Sequence, residues 1–121
     1  MIGIGNDIVD IARFREALAR TPGLRDRVFT DAERSYAESR NDPTERYAVR
    51  FAAKEAVMKA LGVGLGEITL RNIEVQRAES GAPSIVLHGD AAALAAQRGV
   101  NRWLVTLTHS DTVAQAIVVA L

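Results

Sequence analysis

Residues 42–62 read DPTERYAVRFAAKEAVMKALG, and this stretch decides the fold. Asp42 stands as an N-cap, Pro43 at the first helical position and Glu45 three residues after the cap, three independent helix-start signals. Gly62 is a natural left-handed stop. The spacing predicts a helix from Pro43 to about Leu61, with Tyr47, Phe51, Met58 and Leu61 facing inward and many alanines allowing a neighbour to come close. Glu55, Lys59 and Gly62 share one face of it, while Arg50 and Lys54 form an adjacent cationic row.

Upstream, Met1 to Ile11 reads as a strand. Ile2, Ile4 and Ile8 alternate to one face, and Gly3, Gly5, Asp7 and Val9 share the other. Glycine weakens a strand but marks a place where another backbone can approach, and this bare face leads directly to the Asp7 carboxylate. Asp10 reads as the N-cap of a short helix from Ile11 to about Arg20, ended by Pro22-Gly23. Thr30-Asp31-Ala32-Glu33 is a capping-box pattern opening a helix to about Ser39.

Downstream, Ile68 to Val75 and Pro83 to His88 read as strands joined through Glu79-Ser80-Gly81-Ala82. Asp90 to Arg98, capped by Gly89 or Asp90, is a helix stopped by Gly99. Arg102 to Thr108 and Val113 to Leu121 form a hairpin around His109-Ser110-Asp111-Thr112 that closes the sheet, with Trp103 in the core. The expected order is strand, three helices, two strands, helix, two strands: an α+β domain with a mainly antiparallel sheet packed on a long central helix.

Composition narrows the chemistry. With 121 residues, 48% apolar and 25% charged, residues 1–121 make one globular domain. The absence of cysteine excludes disulfide frameworks, thiol nucleophiles, thiolate zinc sites and iron–sulfur clusters. Met1 to Asp10 lacks the basic and long apolar regions of a signal peptide, and no membrane span is present, so a cytoplasmic protein without a membrane partner is expected. Fifteen basic against fifteen acidic residues argue against nucleic acid as a general partner. The balance is uneven, however: Arg13, Arg15, Arg20, Arg25 and Arg27 face only Glu16 and Asp26, which suits an acidic partner.

The groups left for reactive work are carboxylates, lysines and hydroxyls, with two histidines. Asp7 and Glu55, if the helix docks on the glycine face, would make a hard-oxygen site suited to Mg²⁺, with Lys59, Lys54 and Arg50 meeting phosphate charge. Taken alone, Glu55 and Lys59 read first as an ordinary surface pair worth about 0.3–0.5 kcal/mol, and Asp7 can be read as a capping carboxylate. The glycines at 62, 64 and 66 lack the Lys-Ser/Thr ending of a P-loop. His109, between Thr108 and Ser110, could hydrogen-bond a phosphate or adenine group.

Four segments carry a resemblance over essentially the whole chain: GIGNDIVDI at 3–11, RFAAKEAVMKALG at 50–62, Gly81-Ala82-Pro83, and VTLTHS at 105–110. Together they resemble the holo-acyl-carrier-protein synthase family, the short type of 4′-phosphopantetheinyl transferase. The resemblance implies that family's fold and a homotrimer with active sites between subunits. It also implies the reaction: coenzyme A gives its 4′-phosphopantetheine arm to a serine of apo-acyl carrier protein, with Mg²⁺, releasing adenosine 3′,5′-bisphosphate. By the same resemblance Asp7 and Glu55 are the metal ligands, and Glu55 helps activate the serine hydroxyl. Asp7, Glu55 and Lys59 form the catalytic set, with Lys59 also meeting the coenzyme's phosphates. Arg50, Gly62, Pro83, Thr108 and His109 complete the coenzyme pocket, and Arg13 and Arg20 dock the carrier protein. Three positions depart from the pattern. Ala56 and Val113 stand where a serine and an aromatic residue are common, and Asn41-Asp42 stand where basic residues often occur. The departure at 41–42 leaves Arg40 or Arg46 for the nucleotide's 3′-phosphate. A reading from another class is a non-catalytic module that binds an acidic helical protein through the arginine-rich stretch.

Overall fold

In the computed structural model, which describes residues 1–121, the chain runs β1 (Gly3–Asp10), α1 (Ile11–Arg20), α2 (Leu24–Val28), α3 (Asp31–Glu38) and α4 (Pro43–Leu61). A 3₁₀ turn at Leu70–Asn72 leads into β2 (Ile73–Arg77) and β3 (Pro83–Leu87), then α5 (Gly89–Gln97), β4 (Trp103–His109) and β5 (Val113–Ala120). The helix ends form as their caps predict. Asp10 accepts the Arg13 N–H, Asp42 accepts the Thr44 N–H with Pro43 beside it, and Thr30 and Glu33 close a complete capping box. Gly62 ends α4 at φ 73°, a left-handed conformation that glycine adopts without a Cβ clash.

Two local expectations shift. The short α2 is an extra helix, opened by Gly23 at φ 86°. The second strand starts at Ile73 rather than Ile68, because Asp90 accepts hydrogen bonds from the Thr69 N–H and hydroxyl and from the Asn72 amide, folding the approach into a turn. Asp90 is thereby used as a clamp, and the N-cap of α5 is His88.

The strands form an antiparallel three-stranded sheet, order β1-β5-β4, and a separate antiparallel pair, β2-β3. The closing hairpin is therefore β4-β5, with β5 central. β3 lies against β4 without sharing a ladder, so the expected single sheet is divided in two.

α4 packs across β1 and β5, and the glycine face explains how closely. A Cβ on Gly3 would overlap the carbonyl oxygen of Ala60, and one on Gly5 that of Ala56. Strand and helix backbones thus touch where both carry the smallest side chains, and Asp7 follows two positions along that face. Tyr47, Val57, Met58 and Leu61 are buried on α4, each contributing about 1.5–3 kcal/mol of transfer free energy. Trp103 packs against the same core. The other face of the sheet is solvent-exposed and apolar: Ile2, Ile4, Ile8, Leu104 and Ile117 are all exposed, Ile8 at 62%.

The cationic row on α4 does not survive as a row. Lys54 is fully buried, donating to the Glu33 carboxylate at 2.8 Å and to the carbonyls of Leu70 and Ile73. Glu33, 1% exposed, also accepts the Thr30 and Val75 N–H groups at 2.9 Å each. One carboxylate thus joins α3, α4 and β2, and Lys54 belongs to that joint rather than to phosphate binding. A buried pair of this kind holds because the three ammonium donors and both carboxylate oxygens find partners.

Candidate active site

Asp7 and Glu55 come together. They line one cleft of about 470 Å³, along with Val9, Arg13, Phe14, Arg20 and Phe51. Asp7 is carried there by the β1 face that the glycines press against α4, and Glu55 by the turn of α4 just before Ala56, which touches Gly5. Burial pushes the Glu55 carboxyl above its ordinary value, the nearby Asp7 charge pushes it further, and Lys59 opposes both. A half-buried carboxyl beside a second carboxylate is poised for a cation or a proton.

Lys59 does not form the i, i+4 pair with Glu55. Its ammonium donates to the Asp7 carboxylate at 3.0 Å and to the Asn6 carbonyl at 2.9 Å. Lys59 is half-exposed, so this pair is worth under about 1 kcal/mol to stability. Asp7, Glu55 and Lys59 nevertheless form one local unit, built from β1 and a single face of α4. Arg13 and Arg20 stand on the rim of the same cleft, on α1, and neither is tied to a carboxylate.

A second cleft, of about 320 Å³, is lined by Tyr36, Arg46, Arg50, Arg77, Gly81, Pro83 and His109 among others. It shares no residue with the first. Glu55 follows Arg50 by five helical positions, and at about 100° per residue they point about 140° apart. Arg50 is 3% exposed and its buried Nε has no hydrogen-bond partner. His109, at the end of β4, has Arg46 at 3.4 Å from Nε2 and Glu45 at 3.8 Å from Nδ1. Thr108, one residue earlier on β4, projects to the outer sheet face. Gly62 lies outside both clefts at the end of α4, whose last carbonyl, on Leu61, takes a hydrogen bond from Arg98.

Tyr36, Arg77 and Glu33 are absent from the residues singled out by sequence. Glu33 was visible as a capping-box carboxylate, but its burial was not. Tyr36, Arg50 and Arg77 come from α3, α4 and β2, and no spacing rule links them.

Comparison with known proteins identifies the family. A family model described as the 4′-phosphopantetheinyl transferase superfamily matches residues 3–118. A holo-acyl-carrier-protein synthase of Moorella thermoacetica is 44% identical over 117 residues, covering 97% of this chain and 91% of that protein. The crystal structure of holo-acyl-carrier-protein synthase from Neisseria meningitidis superposes with a TM-score of 0.91 at 28% identity, covering 100% of this chain and 98% of that one. The Helicobacter pylori synthase, solved in complex with coenzyme A, gives a TM-score of 0.85 at 28% identity, with 98% and 99% covered. On both the family model and near-full-length identity, this chain belongs to the 4′-phosphopantetheinyl transferase superfamily, as an enzyme of the holo-acyl-carrier-protein synthase type.

Proposed function

We propose that residues 1–121 act as one catalytic domain that transfers 4′-phosphopantetheine from coenzyme A to a serine of apo-acyl carrier protein, with Asp7, Glu55 and Lys59 as the catalytic set. The observation that carries this is the meeting of Asp7 and Glu55 in one cleft across the Gly3–Gly5 contact. The reaction needs little covalent help from a protein and much charge neutralisation and positioning. The serine oxygen bonds to the β-phosphorus, the bond from that phosphorus to the bridging oxygen breaks, and adenosine 3′,5′-bisphosphate leaves. The hydroxyl proton passes to Glu55, directly or through water. Lys59 holds Asp7 in place and brings positive charge to the phosphates.

The residues fit the Mg²⁺ that the family implies. Two carboxylates in one cleft suit a hard cation, and Mg²⁺ takes one or two carboxylates with water and substrate phosphate completing its shell. Asp7 and Glu55 would hold it, and it would neutralise diphosphate charge there. Arg13 and Arg20, free on the cleft rim, suit the docking of an acidic carrier protein.

The coenzyme reading divides its contacts. Arg50, Pro83 and His109 line the cationic cleft, away from Asp7 and Glu55. A homotrimer resolves the division by setting one subunit's cationic cleft beside its neighbour's carboxylates, and the exposed apolar face of the β1-β5-β4 sheet is the surface that suits burial between subunits. Mixing the protein with coenzyme A, Mg²⁺ and a competent apo carrier, then weighing the carrier, tests the function. A mass gain of one phosphopantetheine arm is expected, and no gain removes the reading. Glu55→Gln should cut turnover by about 10²–10⁴-fold; unchanged turnover removes Glu55 from its role.

A further inference from the structure

α3 and α4 meet through two successive rungs of different character. At the first, Glu33 on α3 compensates Lys54 on α4 completely. One turn away the partners are Tyr36 and Arg50, beside Glu33 and Glu74 in one groove, but those carboxylates pair with Lys54 and His88 and neither forms an ion pair with Arg50. Instead three guanidiniums gather on one ring: Arg50, Arg40 and Arg77 lie 4.4, 4.6 and 4.8 Å from the Tyr36 centroid. None of the three makes an ion pair with Asp or Glu within 4.0 Å. Arg46 and His109 add to the same cleft.

Such a cluster repels itself. Burial lowers Arg50's affinity for its proton, the Glu33 charge opposes this, and the Arg46 and Arg40 charges lower it further. The aromatic face attracts cations by its quadrupole, but that attraction alone leaves the positive charge unneutralised. The buried, unpartnered Nε of Arg50 asks for an acceptor. A phosphate monoester supplies two negative charges and several acceptor oxygens, and arginine forks match it bidentately.

We propose that Tyr36 and Arg77 are specificity-determining residues of the coenzyme site: the Tyr36 ring positions Arg50 and Arg77 around the nucleotide's 3′-phosphate monoester, so that this group is read by the three-arginine cluster. The assignment rests on coenzyme A as donor. It differs from a merely structural role for Tyr36 because the ring acts through the guanidiniums, and phenylalanine keeps the ring face while leucine does not.

The test compares coenzyme A with 3′-dephospho-coenzyme A as donors for wild type, Tyr36→Phe, Tyr36→Leu and Arg77→Gln. For coenzyme A, KM should rise at least about tenfold in Tyr36→Leu and Arg77→Gln, the size of one lost charge-assisted hydrogen bond, with kcat following far less. For dephospho-coenzyme A, KM should move much less, and Tyr36→Phe should behave as wild type with both donors. Equal loss on the two donors, no loss on either, or a Tyr36→Phe as impaired as Tyr36→Leu overturns the assignment. Calorimetric binding of adenosine 3′,5′-bisphosphate against adenosine 5′-monophosphate reads the same preference without turnover. Wild type should prefer the bisphosphate and the two impaired variants should lose that preference; equal binding by wild type overturns the assignment. If wild type transfers nothing, the donor reading fails, while the binding arm still decides whether the cluster reads the phosphate. Should Tyr36→Leu fail to fold, Arg77→Gln, an exposed strand position, carries the result alone.

Discussion

Lys54 and Lys59 are the only two lysines in the chain, five residues apart on one helix, and they live in opposite surroundings. Lys54 is wholly buried, its ammonium shared among Glu33 and two carbonyls. Lys59 is half-exposed, reaching across the glycine contact to Asp7 in a cleft that also holds Glu55. The first is fully compensated and has nothing left to offer a ligand. The second is held by a single carboxylate and a carbonyl at a solvent-facing cleft, so its charge can act on whatever enters. Which lysine is structural and which is available for chemistry follows from the helix face each one occupies.

The largest break in this comparison is Lys54→Met. It leaves Glu33 charged and buried without its partner, which should cost about 3–5 kcal/mol in denaturant unfolding, and Lys54→Met combined with Glu33→Leu should recover much of that loss. A single variant within 1 kcal/mol of wild type would mean the joint is not what holds α3 to α4. Lys59→Ala should do the reverse. Its stability should change by under about 1 kcal/mol, while kcat falls by roughly 10²-fold as a charge aimed at the phosphates is lost. Gly5→Ala should disturb both regions together, because its new Cβ meets the Ala56 main chain; a loss of about 1–3 kcal/mol or more is expected, with activity lost from the Asp7–Glu55 cleft as well.

Smaller effects sharpen the picture through pH. Burial and Asp7 raise the folded-state value of Glu55 above 4.5. A raised group contributes stability fully below its unfolded value and loses it as pH rises through the folded value. Glu55→Gln, which cannot ionise, should therefore be as stable as wild type below about pH 4.5 and slightly more stable at pH 7–8, a difference thermal melts at the two pH values will read. Glu74 has the opposite sign. Burial pushes its carboxyl up, but hydrogen bonds from His88, Thr30 and Gln76 outweigh that and the net direction is down. Its contribution is present above 4.5 and lost as pH falls through the folded value, so His88→Ala should narrow the acid stability of the protein.

Much of the fold was legible in sequence because caps and glycines act locally. Asp10, Thr30, Asp42 and Gly62 mark helix ends through bonds to residues at most a turn away. The extra helix at Leu24–Val28 and the turn before Ile73 escaped because their causes are a left-handed Gly23 and a clamp from Asp90, twenty-one residues distant from Thr69 in sequence. Asp7 and Glu55 were legible as a pair because the Gly3 and Gly5 face told where a helix would lie. The fate of Lys54 was not, since Lys54 and Arg50 share a spacing and differ only in which α3 side chain meets them.

From the order of residues alone came the boundaries of α1, α3 and α4, the bare strand face and the two carboxylates that it brings within reach, all consequences of backbone geometry and short-range side-chain bonds. Packing decided the rest: the division of the sheet, the burial of one lysine and exposure of the other, the separation of an acidic cleft from a cationic one, and three guanidiniums around a single tyrosine. Those outcomes join residues from different elements, and an interaction between elements has no period in the chain by which it can be read.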